Sequence, residues 1–539
     1  MGRRFSNRLQ AVTQPALRSN YDAVVVGSGH NGLVAAAYLA RVGKCVLVLE
    51  RNATLGGATA SKKVFPDYEA YLSTYSYLVS LLPPKIIADL GLQFETKRRK
   101  TASFTPYTKP DGSPGGLVLS NVDPSRSQAS MAEMTGDDRD WAGYQHFVAL
   151  EQALAAHVWP SFLSPLQSRT TFASSMSTDL EREAWRSFVE EPLGTAIEKI
   201  VQHDALRGLL MTDGKIGVFT RPDDPTLLQN RCFLYHVVGG GDGEWRVPVG
   251  GMKSLVESLL DVCHSHGVEF LTGAEATSVS QGAKTHAVSF RTDSGDHAVD
   301  ATHVLLNAGP RTSARLLGQP WQADPANEGS VIKINMLLRR LPKLKAKGVS
   351  PEEAFAGSFH IDEGYGQMLA SYASASNGQL PDPAPGEIYC HTLTDPSILS
   401  PELAQQGYQT LTLFGLDMPY RLFNADHDAK RQHVLELYLA GLDRLCDGSF
   451  LDCLARDRNG DPCLEIKTPQ DIEAEIDMDQ GNIFHDAPSW FFAENTEDVG
   501  TWGVDTGVPR VYRAGSSALR GGAVSGIPGH NAAMRVLLG

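Results

Sequence analysis

The first ordered pattern along the chain is a short continuous apolar run, Ala23–Val26, that breaks at Gly27. Such a run predicts a strand covered on both faces, as in a parallel sheet. From Asn31 to Val42 the chemistry turns helical, with Ala35, Ala36 and Ala37 small enough to pack closely on a sheet and Gly43 as a C-terminal stop. Cys45–Leu49 is again apolar and ends on Glu50, completing a strand, helix, strand unit. Two later stretches share this character. Gly250, Gly251 and Met252 lead through a helical pattern (Leu255, Leu259, Leu260) to a strand at Val268–Leu271, and alternating strands then run to His303–Leu306 and an Ala308–Gly309–Pro310 turn. Further on, Val511–Arg513 meets Ala514, Gly515, a glycine-rich run and a helix at Asn531–Leu538. Two inserts, about 110–240 and 325–480, are richer in Pro, Ser and aromatic residues, and no fixed-period repeat is visible. The pattern predicts an α/β chain (α+β overall). A discontinuous Rossmann-like domain (20–110, 240–325 and 480–539) is interleaved with a second domain (111–239 and 326–479), behind a basic tail, 1–19.

Composition narrows the partners. The 539 residues carry 48 Lys plus Arg against 62 Asp plus Glu, a net charge of -14, which repels polyanions and argues against nucleic acid. With 42% hydrophobic and 20% charged residues, the chain can bury a large core. Its seven cysteines include no Cys-x-x-Cys pair, so neither a zinc knuckle nor a dithiol redox centre is signalled, and reduced structural thiols are expected. No metal site is expected. The uncharged stretch 71–84 is too polar, through Ser73, Thr74, Ser76 and Ser80, to span a bilayer. Arg3, Arg4, Arg8 and Arg18, with Phe5, Leu9 and Val12 at helical spacing, leave two readings of the tail. It is an untargeted extension of a cytoplasmic protein or a transit peptide to the mitochondrial matrix.

The chemistry begins at Gly27, Gly29 and Gly32, a G-x-G-x-x-G run at a strand–helix junction, where missing side chains allow backbone N–H groups to approach a pyrophosphate. Glu50, 18 residues after Gly32, is placed to accept hydrogen bonds from an adenosine ribose. Arg51 follows, and then the doublet Gly56–Gly57. A second glycine run, Gly239–Gly240–Gly241–Asp242–Gly243, lacks the helix that a phosphate loop needs because Pro248 interrupts it, so it is expected as a loop leading back to the first domain.

These motifs, with GSGHNGLVAAAYLAR, VGGMKSLVESL, GNIFH at Gly481–His485 and GAVSGIPGHNAA at Gly522–Ala533, resemble the phytoene desaturase-related branch of the amine oxidase superfamily, which holds carotenoid isomerases and retinol saturases. The resemblance implies FAD as cofactor, an FAD domain of that type interleaved with a substrate or cap domain, and an apolar chamber beside the flavin. It implies an FAD-dependent oxidoreductase that dehydrogenates, saturates or isomerises an apolar, polyene or lipid-like small molecule by hydride transfer with flavin N5. The electron acceptor and oligomeric state are left open. A flavin amine oxidase, with an aromatic pair facing the ring, and a flavin-bearing scaffold are the alternatives. Gly515, Gly522, Ala523 and Val524 are expected against the flavin. The family's His-Pro-Gly-Gly-Gly run is replaced by Ala518–Ala523, so that Arg520 either faces the cofactor or points to solvent. Tyr235, His236 and His485 are the candidate catalytic groups, and Tyr68, Tyr71, Tyr75 and Tyr77 are candidate chamber or core aromatics. Lys333, Arg339, Arg340, Lys343, Lys345 and Lys347, interleaved with Ile332, Met336, Leu337 and Leu338, suggest either peripheral membrane contact or a strand followed by a basic loop.

Overall fold

A computed structural model describes residues 17–539. Arg3, Arg4 and Arg8 of the basic tail lie outside the described residues, whereas Arg18 donates to Glu269 at 2.8 Å.

The strand Asn20–Val26 lies between Val46–Glu50 and the end of Gly295–Leu306, parallel to both. Glu269–Thr272 extends the parallel set beyond Val46–Glu50, and Val511–Arg513 pairs in parallel with Val304–Leu306. Glu275–Ser280 and His286–Thr292 continue the other edge as antiparallel hairpin strands. Burial follows the predicted pattern. Val24 and Val25 are fully buried, and the helix His30–Arg41 buries eleven of its twelve residues, its alanines letting it pack between the sheet and the helices Lys253–Ser265 and Ile527–Leu538. That helix stops at Arg41, and the chain reverses through Gly43 in the left-handed region.

A second seven-stranded sheet has the order Leu464–Lys467, Ile332–Leu338, Gln409–Gly415, Gly386–Tyr389, Ser358–Ile361, Thr101–Thr108, Pro114–Ser120. It takes in Thr101–Thr108, which the sequence pattern assigned to the first domain. The crossing between the two parts therefore comes before the expected boundary at 110.

The basic segment forms a strand followed by basic residues, most of them exposed. Ile332–Leu338 is an inner strand buried along its whole length, so its apolar side chains are not available to lipid. Two of the cations beyond it are used locally: Arg339 donates to the Asp452 carbonyl, and Lys345 donates to the last carbonyls of the helix His427–Leu445. Among the described residues no helix is long and apolar enough to cross a membrane. All seven cysteines are free thiols, and no group of metal-ligating residues is found among the described residues.

Candidate active site

One long cavity, with about 2680 Å³ of atom-free space including its mouth, starts at the G-x-G-x-x-G loop and ends against the second sheet. At its first end, Gly27 takes φ +95°, which turns the chain from strand into helix. A Cβ on Gly32 would lie 2.5 Å from the Gly27 carbonyl oxygen, and one on Gly57 would lie 3.1 Å from the Gly29 Cα. The two glycine motifs are thus pressed against each other and leave the N-terminus of the helix His30–Arg41 open to the cavity. Asn307, at the end of a neighbouring strand, donates to the carbonyls of Gly27 (3.1 Å) and Gly29 (3.3 Å) and holds the loop in place.

Glu50 is 6% exposed and lines the cavity. Its Oε2 accepts from the Ser28 amide (3.0 Å) and hydroxyl (2.7 Å), and its Oε1 accepts from the Asn52 amide (2.9 Å). With about four acceptor sites on a carboxylate, capacity remains for a ligand hydroxyl. Arg51 lies at the mouth, 3.8 Å from Asp477.

Of the residues expected at the cofactor, Gly27, Gly29, Glu50, Arg51, Gly57, Ala523 and Val524 line the cavity. Gly32, Gly56, Gly515 and Gly522 lie behind its wall, where a Cβ would meet Gly27, Val256, Asn307 and Phe484 respectively. They set the shape of the wall without forming its surface. The catalytic candidates also separate. His236 and His485 line the cavity, but Tyr235 does not. Tyr235 is buried against Phe162 and Phe484, with its hydroxyl 3.4 Å from Ser489 Oγ. His236 spends its Nδ1 on the Cys232 carbonyl of its own helix (2.8 Å). The glycine run that follows forms a single 3₁₀ turn, Gly239–Gly241, after the helix Leu228–Val237, and contributes Asp242 and Gly243 to the wall.

Arg520 follows neither expected course. It is 1% exposed and donates to the carbonyls of Ser161 (2.8 Å), Ser164 (2.7 Å) and Trp502 (3.2 Å). Burial lowers its pKa to about 10 and leaves it cationic at neutral pH. Its backbone, like those of His485 and Ala523, is in the left-handed region without being glycine, so three such residues cluster at this end of the cavity.

His30 Nε2 and His485 Nδ1 are buried and unpartnered, and both rings line the cavity. Burial pushes each down to about 4. Between about pH 4 and the ordinary histidine value near 6.5 the unfolded chain therefore binds protons that the folded chain does not, and stability falls as pH falls through that window. We expect the thermal midpoint to drop more steeply across this range in the wild type than in His485→Gln. Identical slopes in the two proteins would remove His485 from the account.

The far wall was not visible from the sequence. Cross-strand pairing sets His360 opposite Glu387, Glu387 opposite Phe414 and Phe414 opposite Lys333, a row across four strands in which all four residues line the cavity. Burial pushes Glu387 up to about 8 and Lys333 well below the usual amine range. Lys333 Nζ donates to the Ser73 carbonyl (3.2 Å) and sits 4.8 Å from the centre of the Tyr77 ring. Tyr75 and Tyr77 line the cavity, whereas Tyr68 and Tyr71 do not. For the strand residues of this wall the advance signal was polar residues at alternate positions, Ser358 and His360 or Glu387 and Tyr389, on otherwise apolar strands.

Fold and site together define a Rossmann-like dinucleotide-binding sheet that faces a second sheet across one cavity. Residues 25–83 match the family of NAD(P)-binding Rossmann-like domains. The cyclohexylamine oxidase of Brevibacterium oxydans IH-35A has the same fold, with a TM-score of 0.53 at 15% identity over 96% of this chain and 98% of that one. An uncharacterized protein of Mycobacterium tuberculosis is 43% identical over 96% of this chain and 97% of its own length. Pyridine nucleotide-disulfide oxidoreductase domain-containing protein 2 of Rattus norvegicus is 28% identical over 98% of this chain and 95% of its own. The chain belongs to one family with the Mycobacterium tuberculosis protein.

Proposed function

We propose that this chain binds FAD along the cavity and oxidises, saturates or isomerises a small molecule with a largely apolar body. The observation that carries the reading is the continuity of the cavity, from the glycine loop and Glu50 to a separate wall on the second sheet. The residues present fit the cofactor. Close-packed glycines and a helix N-terminus suit a pyrophosphate, and the Glu50 carboxylate suits ribose hydroxyls while repelling a 2′-phosphate. Bound flavin supplies hydride acceptance or donation at N5.

The chain's own contribution is orientation and dryness. Ile216, Val331, Ile483 and Phe484 give the cavity an apolar lining that keeps water from the reacting bond. The neutral rings of His30 and His485 offer hydrogen-bonding nitrogens there without placing a charge in the apolar section. The amine-oxidase alternative draws on one observation, the tilted pair of Tyr77 and Tyr389 with ring centres 4.8 Å apart on the cavity wall. It requires steady peroxide release when amines are supplied in air.

The purified protein is expected to be yellow, and anaerobic titration with NADH and with lipophilic compounds identifies the donor by bleaching. Colourless protein that does not take up added FAD would overturn the proposal. Glu50→Ala should retain FAD about tenfold or more less tightly, as expected for losing charge-assisted hydrogen bonds worth about 1.5–3 kcal/mol. Flavin occupancy after dialysis measures this, and unchanged occupancy would withdraw the ribose role.

A further inference from the structure

We infer that the substrate carries an anionic group, a carboxylate in the simplest case, which binds Arg99 at the end of the cavity away from the glycine loop. This rests on the oxidoreductase reading above and assigns the substrate class of the same site. Arg99 lines the cavity and is 8% exposed. Its Nε donates to the Trp245 carbonyl at 3.1 Å and its Nη1 to Ser358 Oγ at 3.2 Å, both uncharged acceptors. Among the described residues no carboxylate oxygen lies within 4.0 Å of the guanidinium, although Arg98 beside it pairs with Glu244 at 2.7 Å. Glu387, Glu244 and Asp213 act on Arg99 only from beyond contact distance; a buried cation without a contact ion pair is costly to keep, and a bound anion that supplies it lowers that cost.

A second, independent observation is Ser103. Its Oγ is buried without a hydrogen-bond partner, and the residue lines the cavity at 7% exposure. Ser103 stands directly across from Ser358 in the parallel pairing of their strands, so two hydroxyls and the guanidinium share one corner. Guanidinium and hydroxyl donors converging on one point match the acceptor-only chemistry of a carboxylate.

The other ionisable groups of the wall do not compete for this role. His360 Nδ1 lies 2.5 Å from Glu363 Oε2, and the buried pair cancels its own charge. Glu387 takes the Tyr389 hydroxyl, and burial pushes it up to about 8. Burial also raises Asp213 above its ordinary carboxylate value and pushes Glu151 up to about 8. Lys333 is pushed well below the usual amine range. Arg99 is held by uncharged acceptors, and the apolar lining of the cavity accommodates the rest of an acid-bearing molecule.

The test uses the full-length protein at neutral pH, titrated with hexanoate, hexanamide and hexylamine. Binding is followed by the flavin absorption band and, separately, by intrinsic tryptophan fluorescence, since Trp245 also lines the cavity. Hexanoate should bind about tenfold or more tightly than hexanamide, the margin expected of a charge-assisted contact. Arg99→Gln should abolish the difference, Arg99→Lys should restore part of it, and Ser103→Ala should weaken hexanoate alone. Equal binding of acid and amide, preference for the amine, or no response to any of the three would overturn the proposal. A fluorescence response to hexanoate in protein that takes up no flavin would uphold the anion site while rejecting the FAD reading.

Discussion

Gly32→Val should yield protein that retains less than about a tenth of the wild-type flavin, with a clearly lowered thermal midpoint. A Cβ at this position would lie 2.5 Å from the Gly27 carbonyl oxygen and 2.7 Å from Asn307 Nδ2, and the first of these is backbone that cannot swing aside. Valine adds two more carbons to that overlap. The helix must then move off the loop, which breaks the Asn307 bonds to Gly27 and Gly29 and withdraws the helix N-terminus from the cavity. Because Gly32 itself lies behind the cavity wall, the loss would report on wall geometry and not on a deleted ligand contact. Flavin absorbance per protein after gel filtration, with a melting curve, checks it. Wild-type occupancy in the variant would show that the close packing is unnecessary.

Arg520→Met is expected to cost about 3 kcal/mol or more of stability, because it leaves three carbonyls without the donor that now serves them. Two of them, Ser161 and Ser164, lie in and just after the 3₁₀ turn Trp159–Leu163, which continues the long helix Arg139–Val158, and the third belongs to Trp502. The guanidinium therefore pins the C-terminal glycine segment to the second part of the molecule. Chemical denaturation should show a lower midpoint, and Arg520→Lys should recover only part of it because an ammonium lacks the planar fork. A variant as stable as the wild type would return Arg520 to a cofactor role.

The contrast between these residues shows what a sequence can and cannot carry. Gly27, Gly29, Gly32 and Glu50 were legible because a tight turn between strand and helix is a local steric problem with few solutions, all within thirty residues. Asn307 was not, since an asparagine after a strand has many uses until the neighbouring strand is known. Tyr235 and His236 could not be separated by spacing. One step along a helix rotates a side chain by about 100°, and the packing of Leu228–Val237 decides which of the two meets the cavity. The row His360, Glu387, Phe414 and Lys333 depends on register between strands distant in the chain, which alternating polarity hints at without fixing. Arg520 had two readings, solvent and cofactor, but buried carbonyls of a distant segment are visible only once the parts are packed.

The helix Ile527–Leu538 lies directly on the helix that opens the nucleotide loop, so closely that a Cβ on Gly529 would fall 1.9 Å from the Asn31 carbonyl oxygen. During synthesis the N-terminal loop leaves the ribosome long before this partner exists, because nearly five hundred residues separate them. A growing polypeptide consequently holds an incomplete cradle until the chain has extended past Leu538, so the nucleotide loop gains its packing partner long after it has itself been made.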